Sequence, residues 1–171
     1  MQYPPALRLL PLFAALLLPP CAGFAQAHAE GGEGAAQWWL SSGFWSHHTR
    51  RADRYQQNNT GIGFEWHGGG HWQDWQLNAG HYRNSRNRPS NYVQAGWMPL
   101  CLDLPADFSL HAGASVGVVN GYPRMKGGGY FPTFVPALSL QWQRLGLNLV
   151  YIPSVGTVDG AFALQLKARL L

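Results

Sequence analysis

The sequence predicts an all-β chain: an eight-stranded antiparallel transmembrane β-barrel behind an N-terminal signal peptide. Three observations predict it. Apolar residues alternate with small or polar ones at period two through most of the chain, and no segment carries a helical period. The eight Trp and seven Tyr fall largely at segment ends, as the aromatic girdle of a membrane barrel requires. Charged residues are only 12% of the chain, and no apolar run beyond the leader is long enough for a spanning helix.

The leader comes first. "MQYPPALRLLPLFAALLLPP" sets Arg8 before an apolar core, and "GFAQAHA" offers small residues for cleavage after Ala25 or Ala27. Residues 1–27 are therefore expected to be a signal peptide. The apolar run is short for a membrane anchor and is broken by Pro19 and Pro20. "LPPC" is not taken as a lipidation site, because Pro20 stands where such sites need a small residue. Residues 28–36, "HAEGGEGAA", are expected to be a flexible segment, and residues 37–171 the barrel. Cleavage leaves Cys101 alone, so no internal disulfide is expected.

Eight strand-like segments follow. The first, "QWWLSSGFWSHH", is the least regular. In the second, "GIGFEWH", Ile62, Phe64 and Trp66 alternate with glycines, Glu65 and His67; "GGGHW" then reads as a turn. The third, "WQLNAG", and the fourth, "YVQAGW", repeat the pattern. The fourth sets Val93, Ala95 and Trp97 against Tyr92, Gln94 and Gly96. The fifth is "FSLHAGASVGVV", the sixth "FVPALSLQWQ" and the seventh "LGLNLVYIP". The eighth, "FALQLKARL", puts Phe162, Leu164, Leu166, Ala168 and Leu170 on one side. A soluble lipocalin-like barrel would turn the apolar side inward. Strands approaching the ~9–11 residues that cross a bilayer favour turning it towards lipid. Eight strands suffice to close a barrel and remove its edges.

The formal net charge is +4, of which Arg8 supplies one, and Lys and Arg form no run that would point to nucleic acid. A basic rim facing an anionic surface remains open. Residues 81–97, "HYRNSRNRPSNYVQAGW", join the third and fourth segments by a polar, cationic tip where a short Gly-rich turn would serve. Proline cannot donate to a sheet ladder. Pro132, Pro136 and Pro153 either end strands or leave unpaired gaps between the sixth and seventh, through which a lipid chain would pass sideways.

Four anchors resemble the PagP family of outer-membrane lipid A palmitoyltransferases. "DRYQQNNTGIGF" opens Asp-Arg-Tyr and closes on glycines and Phe. "NSRNRPSNYVQAGW" matches a segment that opens Asp-Ser and closes Gly-Trp at the same spacing. "PTFVP" followed by "YIP" repeats the family's proline spacing, and "HHTR" its His-x-Arg element. The resemblance runs from about Phe44 to the end. It implies transfer of a palmitoyl or other long acyl chain from a phospholipid donor to lipid A in the outer membrane of a Gram-negative bacterium, without metal or cofactor. The family's Ser falls on Ser85, its Asp on Asn84 and its His on His48, with His47 the close alternative. A Gly at the floor of the acyl pocket falls on Gly96, and the prolines flanking lateral gates on Pro136 and Pro153. Three departures stand out: Asn84 replaces a carboxylate, the family's N-terminal amphipathic helix has no counterpart, and the first loop, between His48 and Asp53, is several residues shorter.

On this reading Arg83, Arg86 and Arg88 bind lipid A phosphates. Ser85 is the hydroxyl at the reacting centre and His48 the general base, acting either on Ser85 or directly on the acceptor hydroxyl. Asn84 donates to the oxyanion or orients the imidazole. Two other readings stay open: a non-enzymatic structural barrel, and a lipid A deacylase using His81 with Ser85, which lie about 13 Å apart along an extended strand. Asp53-Arg54-Tyr55 is read as a loop brace, Cys101 as a small hydrophobe, and His67 and His71 as turn residues lacking metal-ligand spacing. A monomer is expected.

Overall fold

The computed structural model describes residues 35–154 and 158–170. The expected signal peptide and most of the expected flexible segment lie outside the described residues. Eight strands follow in chain order: β1 (Gln37–His48), β2 (Asn58–His67), β3 (Trp75–Arg83), β4 (Pro89–Leu104), β5 (Phe108–Val119), β6 (Phe131–Trp142), β7 (Leu145–Ile152) and β8 (Ala161–Arg169). Each pairs antiparallel with the next, and β1 closes on β8 from Trp39↔Arg169 to His48↔Ala161. Short 3₁₀ turns are the only helical segments among the described residues.

The pleat sorts side chains as the alternation predicts. Ile62, Phe64, Leu77, Val93 and Leu166 stand exposed on the outside, Leu166 at 66%. Leu147 pairs with Leu166 and Leu149 with Leu164 on this outer face. Trp38, Trp75, Trp97 and Trp142 are exposed towards one rim, and Trp45, Tyr151 and Phe162 towards the other. A continuous apolar belt between two aromatic rings, on a sheet closed into a barrel, is the surface of a transmembrane barrel.

β4 is longer than "YVQAGW" suggested. A bulge between Trp97 and Leu100 absorbs Pro99, whose missing N–H would otherwise break the ladder, and pairing with β5 resumes at Leu100↔Ala112. The "GGGHW" stretch is a 3₁₀ turn at Gly70–Trp72.

The lower barrel interior, at the end carrying the β2–β3, β4–β5 and β6–β7 connections, is filled by polar groups. Glu65, 1% exposed, accepts from Lys167 Nζ at 3.0 Å and from Asn148 Nδ2 at 2.6 Å. His67 Nε2 lies 3.1 Å from the same carboxylate. The Lys167 ammonium sits 4.9 Å from the ring centroid of the fully buried Trp39. Gln165 Nε2 donates to the Ser42 carbonyl at 2.8 Å and to Tyr92 Oη at 3.3 Å. This network occludes the barrel below Tyr92.

Two outcomes are expected. Leu166→Arg, on the lipid face, should destabilise the bilayer-inserted barrel by about 2–4 kcal/mol if this site lies near the midplane. Lys167→Met alone should cost about 3–5 kcal/mol by stranding Glu65, whereas Glu65→Leu with Lys167→Met should recover most of it. Denaturant unfolding in liposomes measures both.

Candidate active site at the basic rim

The β1–β2, β3–β4, β5–β6 and β7–β8 connections lie at the other rim, where β1 ends and β8 begins. They and the adjoining strand ends carry Arg50, Arg51, Arg54, Arg83, Arg86, Arg88, Arg124 and Lys126, against Asp53 and Asp159. Inside this rim is a largely apolar cavity of about 180 Å³. Its wall includes Val119, Val135, Val150, Ile152 and Ala163, and its mouth His48, Ser85, Arg86 and Arg124.

Strand parity decides between the two histidines. After the irregularity between Ser42 and Phe44, the residues Phe44, Ser46 and His48 all line the cavity. His47 is exposed and stacks on Trp45, ring centroids 6.4 Å apart. His48 is 8% exposed, and its Nδ1 is buried without a hydrogen-bond partner among the described residues. Ser85 is equally buried in the β3–β4 loop, where its carbonyl accepts from Gln56 N at 2.9 Å. The structure therefore brings His48 and Ser85 to one cavity.

Asn84 is not available to the chemistry expected of it. It is fully buried, and its Nδ2 donates to Ser90 Oγ at 2.8 Å and to the Gly121 carbonyl at 2.9 Å. Its Oδ1 accepts from Arg86 N at 2.9 Å and Arg88 N at 3.2 Å. Both amide hydrogens and the carbonyl oxygen are thus spent on shaping the loop. A carboxylate here would face the Gly121 carbonyl oxygen with no hydrogen to offer, which explains an amide at this position.

Of the three arginines, only Arg86 lines the cavity. Arg83 is exposed and donates to Asn87 Oδ1 at 3.0 Å; Arg88 is also exposed. His81 points outward, its Nδ1 2.8 Å from Asn91 Oδ1, whereas Ser85 faces the interior. That separation removes the His81–Ser85 pairing.

Gly96 faces inward, as its parity predicts, but lines neither this cavity nor a smaller void of about 30 Å³ beneath it. Gln76 and Ser115 occupy the space before Gly96. The partition between the two voids is made by Phe44, Tyr92, Gln94 and Val150, which line both. Tyr92 lies so close to β2 and β3 that a Cβ on Gly63 would come within 2.5 Å of its hydroxyl, and one on Gly80 within 2.7 Å. Those two glycines make room for the cavity floor.

Among the described residues the β6–β7 pairing stops beside Pro136, and Pro153 follows the end of β7. The β6–β7 ladder runs from Trp142↔Leu145 to Ala137↔Val150 and stops. Above it, β6 pairs only with β5, including Ala114↔Pro136, and Tyr151 and Ile152 of β7 pair only with β8. Pro136 and Pro153 flank this opening, and the cavity lies behind it, between Val135 and Ile152.

Three cavity residues were not singled out as functional from sequence: Tyr55, Arg124 and Asp159. Tyr55 stacks on His48, donates its hydroxyl to Asp159 Oδ2 and accepts from Arg86 Nη2 at 3.1 Å. Its expected role as a loop brace is therefore only part of what it contacts. The bond to Asp159 pushes the Tyr55 hydroxyl above its ordinary pKa. Accepting that bond holds the Asp159 carboxyl below its ordinary value, helped by Arg51 and Arg50. A depressed carboxyl keeps its tie above the ordinary carboxylate range and loses it only as pH falls through the lowered value. The tie is thus intact at neutral pH.

Asn84→Asp should destabilise the protein by about 1–3 kcal/mol through the lost Gly121 bond. Thermal unfolding in detergent is the check.

No protein-family model and no curated relative matches the chain. Among solved structures, it is similar to the backbone structure of the Yersinia pestis outer membrane protein Ail in a phospholipid bilayer nanodisc, with 15% sequence identity and a TM-score of 0.40 over 81% of this chain and 100% of that one.

Proposed function

We propose that this protein is an acyltransferase of the Gram-negative outer membrane, moving an acyl chain from a phospholipid to lipid A. The observation that carries the reading is the placement of His48 and Ser85 at the mouth of an apolar cavity beside a break in the barrel wall. The basic rim supplies Arg86 and Arg124 for the phosphates of lipid A.

In the proposed reaction a phospholipid acyl chain enters between β6 and β7 and lies in the cavity, its ester at the rim. His48 takes the proton of Ser85 as the serine oxygen attacks the ester carbonyl. Arg86 stabilises the oxyanion, in place of Asn84. The lysophospholipid leaves with the proton from His48. A lipid A hydroxyl, deprotonated by His48, then attacks the acyl-serine, forming the new ester and restoring Ser85.

Tyr92, at the floor of the cavity, is the side chain that would meet the end of an acyl chain entering from the rim.

Mass spectrometry of lipid A from cells expressing the protein tests the reading. An added acyl chain is expected, and Ser85→Ala or His48→Ala should reduce its appearance about 100-fold or more while leaving the barrel folded. Unchanged lipid A with the native protein would overturn the function in favour of a non-enzymatic barrel. Tyr92→Ala should lengthen the chain transferred, each added buried methylene being worth about 0.8 kcal/mol. Gly96→Met, below the floor, should leave chain length unchanged.

A further inference from the structure

An imidazole that moves protons works best when its ring plane is fixed by a partner. With Asn84 consumed by its own loop, the position that the resemblance assigns to a carboxylate does not provide one. The rim nevertheless brings a carboxylate to His48 from the far end of the chain.

The Tyr55 ring lies face to face with the His48 imidazole, centroids 4.0 Å apart and planes 12° from parallel. Its hydroxyl is held by Asp159. Asp159 is delivered to this point by its neighbour. The Gly160 carbonyl accepts from Thr49 N at 2.8 Å and from Thr49 Oγ1 at 3.1 Å, one residue past His48. Gly160 N in turn donates to Ser154 Oγ at 2.8 Å. The β1–β2 and β7–β8 loops are thus stapled beside the imidazole. Without Asp159, Tyr55 would keep only the Arg86 bond to its hydroxyl, and that cation lies 5.1 Å from the ring centroid on a flexible stem.

We propose that Tyr55 and Asp159 are a positioning pair for His48, Asp159 fixing the Tyr55 ring and the ring fixing the plane of the imidazole. The proposal rests on the acyl-transfer reading for its catalytic consequence. When His48 accepts the proton of the attacking hydroxyl, the imidazolium forms against the electron-rich face of Tyr55. The Asp159 carboxylate, one ring away, offsets the opposing charge of Arg86. Tyr55 and Asp159 neither gain nor lose a proton; the proton leaves His48 with the departing alkoxide.

Two measurements on the folded protein in detergent micelles test this. The first needs no activity. In histidine-labelled protein, with the His48 signal assigned by His48→Gln, the ring current of Tyr55 should displace the His48 ring resonances upfield. The displacement should vanish in Tyr55→Leu and fall by about half or more in Asp159→Ala, which removes the acceptor. An unchanged His48 signal in Asp159→Ala overturns the proposal. The second is acyl transfer from a phospholipid donor. Asp159→Asn should lower kcat about tenfold or more at unchanged KM, and Asp159→Glu should restore most of the loss. Full kcat in Asp159→Asn likewise overturns it. If the native protein transfers no acyl chain, the proposed function fails, while the resonance measurement still decides whether the pair positions His48.

Discussion

The buried ion pair between Glu65 and Lys167 is the constraint on which the rest of the barrel depends. An eight-stranded barrel has an interior just wide enough for side chains to fill, and here the outer surface has taken the apolar residues. The interior must then be packed with groups that satisfy one another. Burying two charges is tolerable only with good geometry and further hydrogen bonds. His67 and Asn148 supply these at Glu65, and the Trp39 ring faces Lys167. With the lower half filled in this way, Tyr92 and Phe44 rest above it as a floor. The remaining space opens only upward and sideways, which makes it a pocket rather than a pore.

The sideways opening has a backbone origin. In lipid, each N–H and C=O needs a partner, so a gap in a barrel wall is normally costly. Proline has no N–H to leave unpaired. Placing Pro136 just above the last β6–β7 pair, and Pro153 just after β7, lets the ladder end with fewer stranded donors. Neighbouring pairs on β5 and β8 hold the two strands in the sheet meanwhile. The same missing atom that disqualifies proline from a central strand makes it suitable at this boundary.

At the rim, the amide at position 84 organises the loop that carries Ser85. An amide at position 84 can donate to the Gly121 carbonyl while accepting two backbone N–H groups, and so builds a compact loop that turns Ser85 inward. That use of the side chain leaves negative charge to be supplied from elsewhere, and Asp159 is the carboxylate that lines the cavity. Loop architecture and negative charge are thus carried by two different loops.

Read alone, the sequence determined the strand-by-strand architecture, the outward belt and the inward parity of Gly96. These follow from the pleat, which sends successive side chains to opposite faces whatever the partner strand. That the prolines would interrupt pairing was legible because a missing donor is a covalent property. The tertiary structure decided what parity leaves open. It selected His48 over His47 through the irregularity in β1, spent Asn84 on its loop, turned His81 away from Ser85, and set the floor at Tyr92 instead of Gly96. It also joined Tyr55 to Asp159, 104 residues later, and Lys167 to Glu65, 102 residues earlier. Such contacts depend on how the barrel closes and how far each strand is staggered against the next. No local alternation encodes that stagger, because a shift of two residues preserves every inward and outward face while changing each neighbour across the barrel.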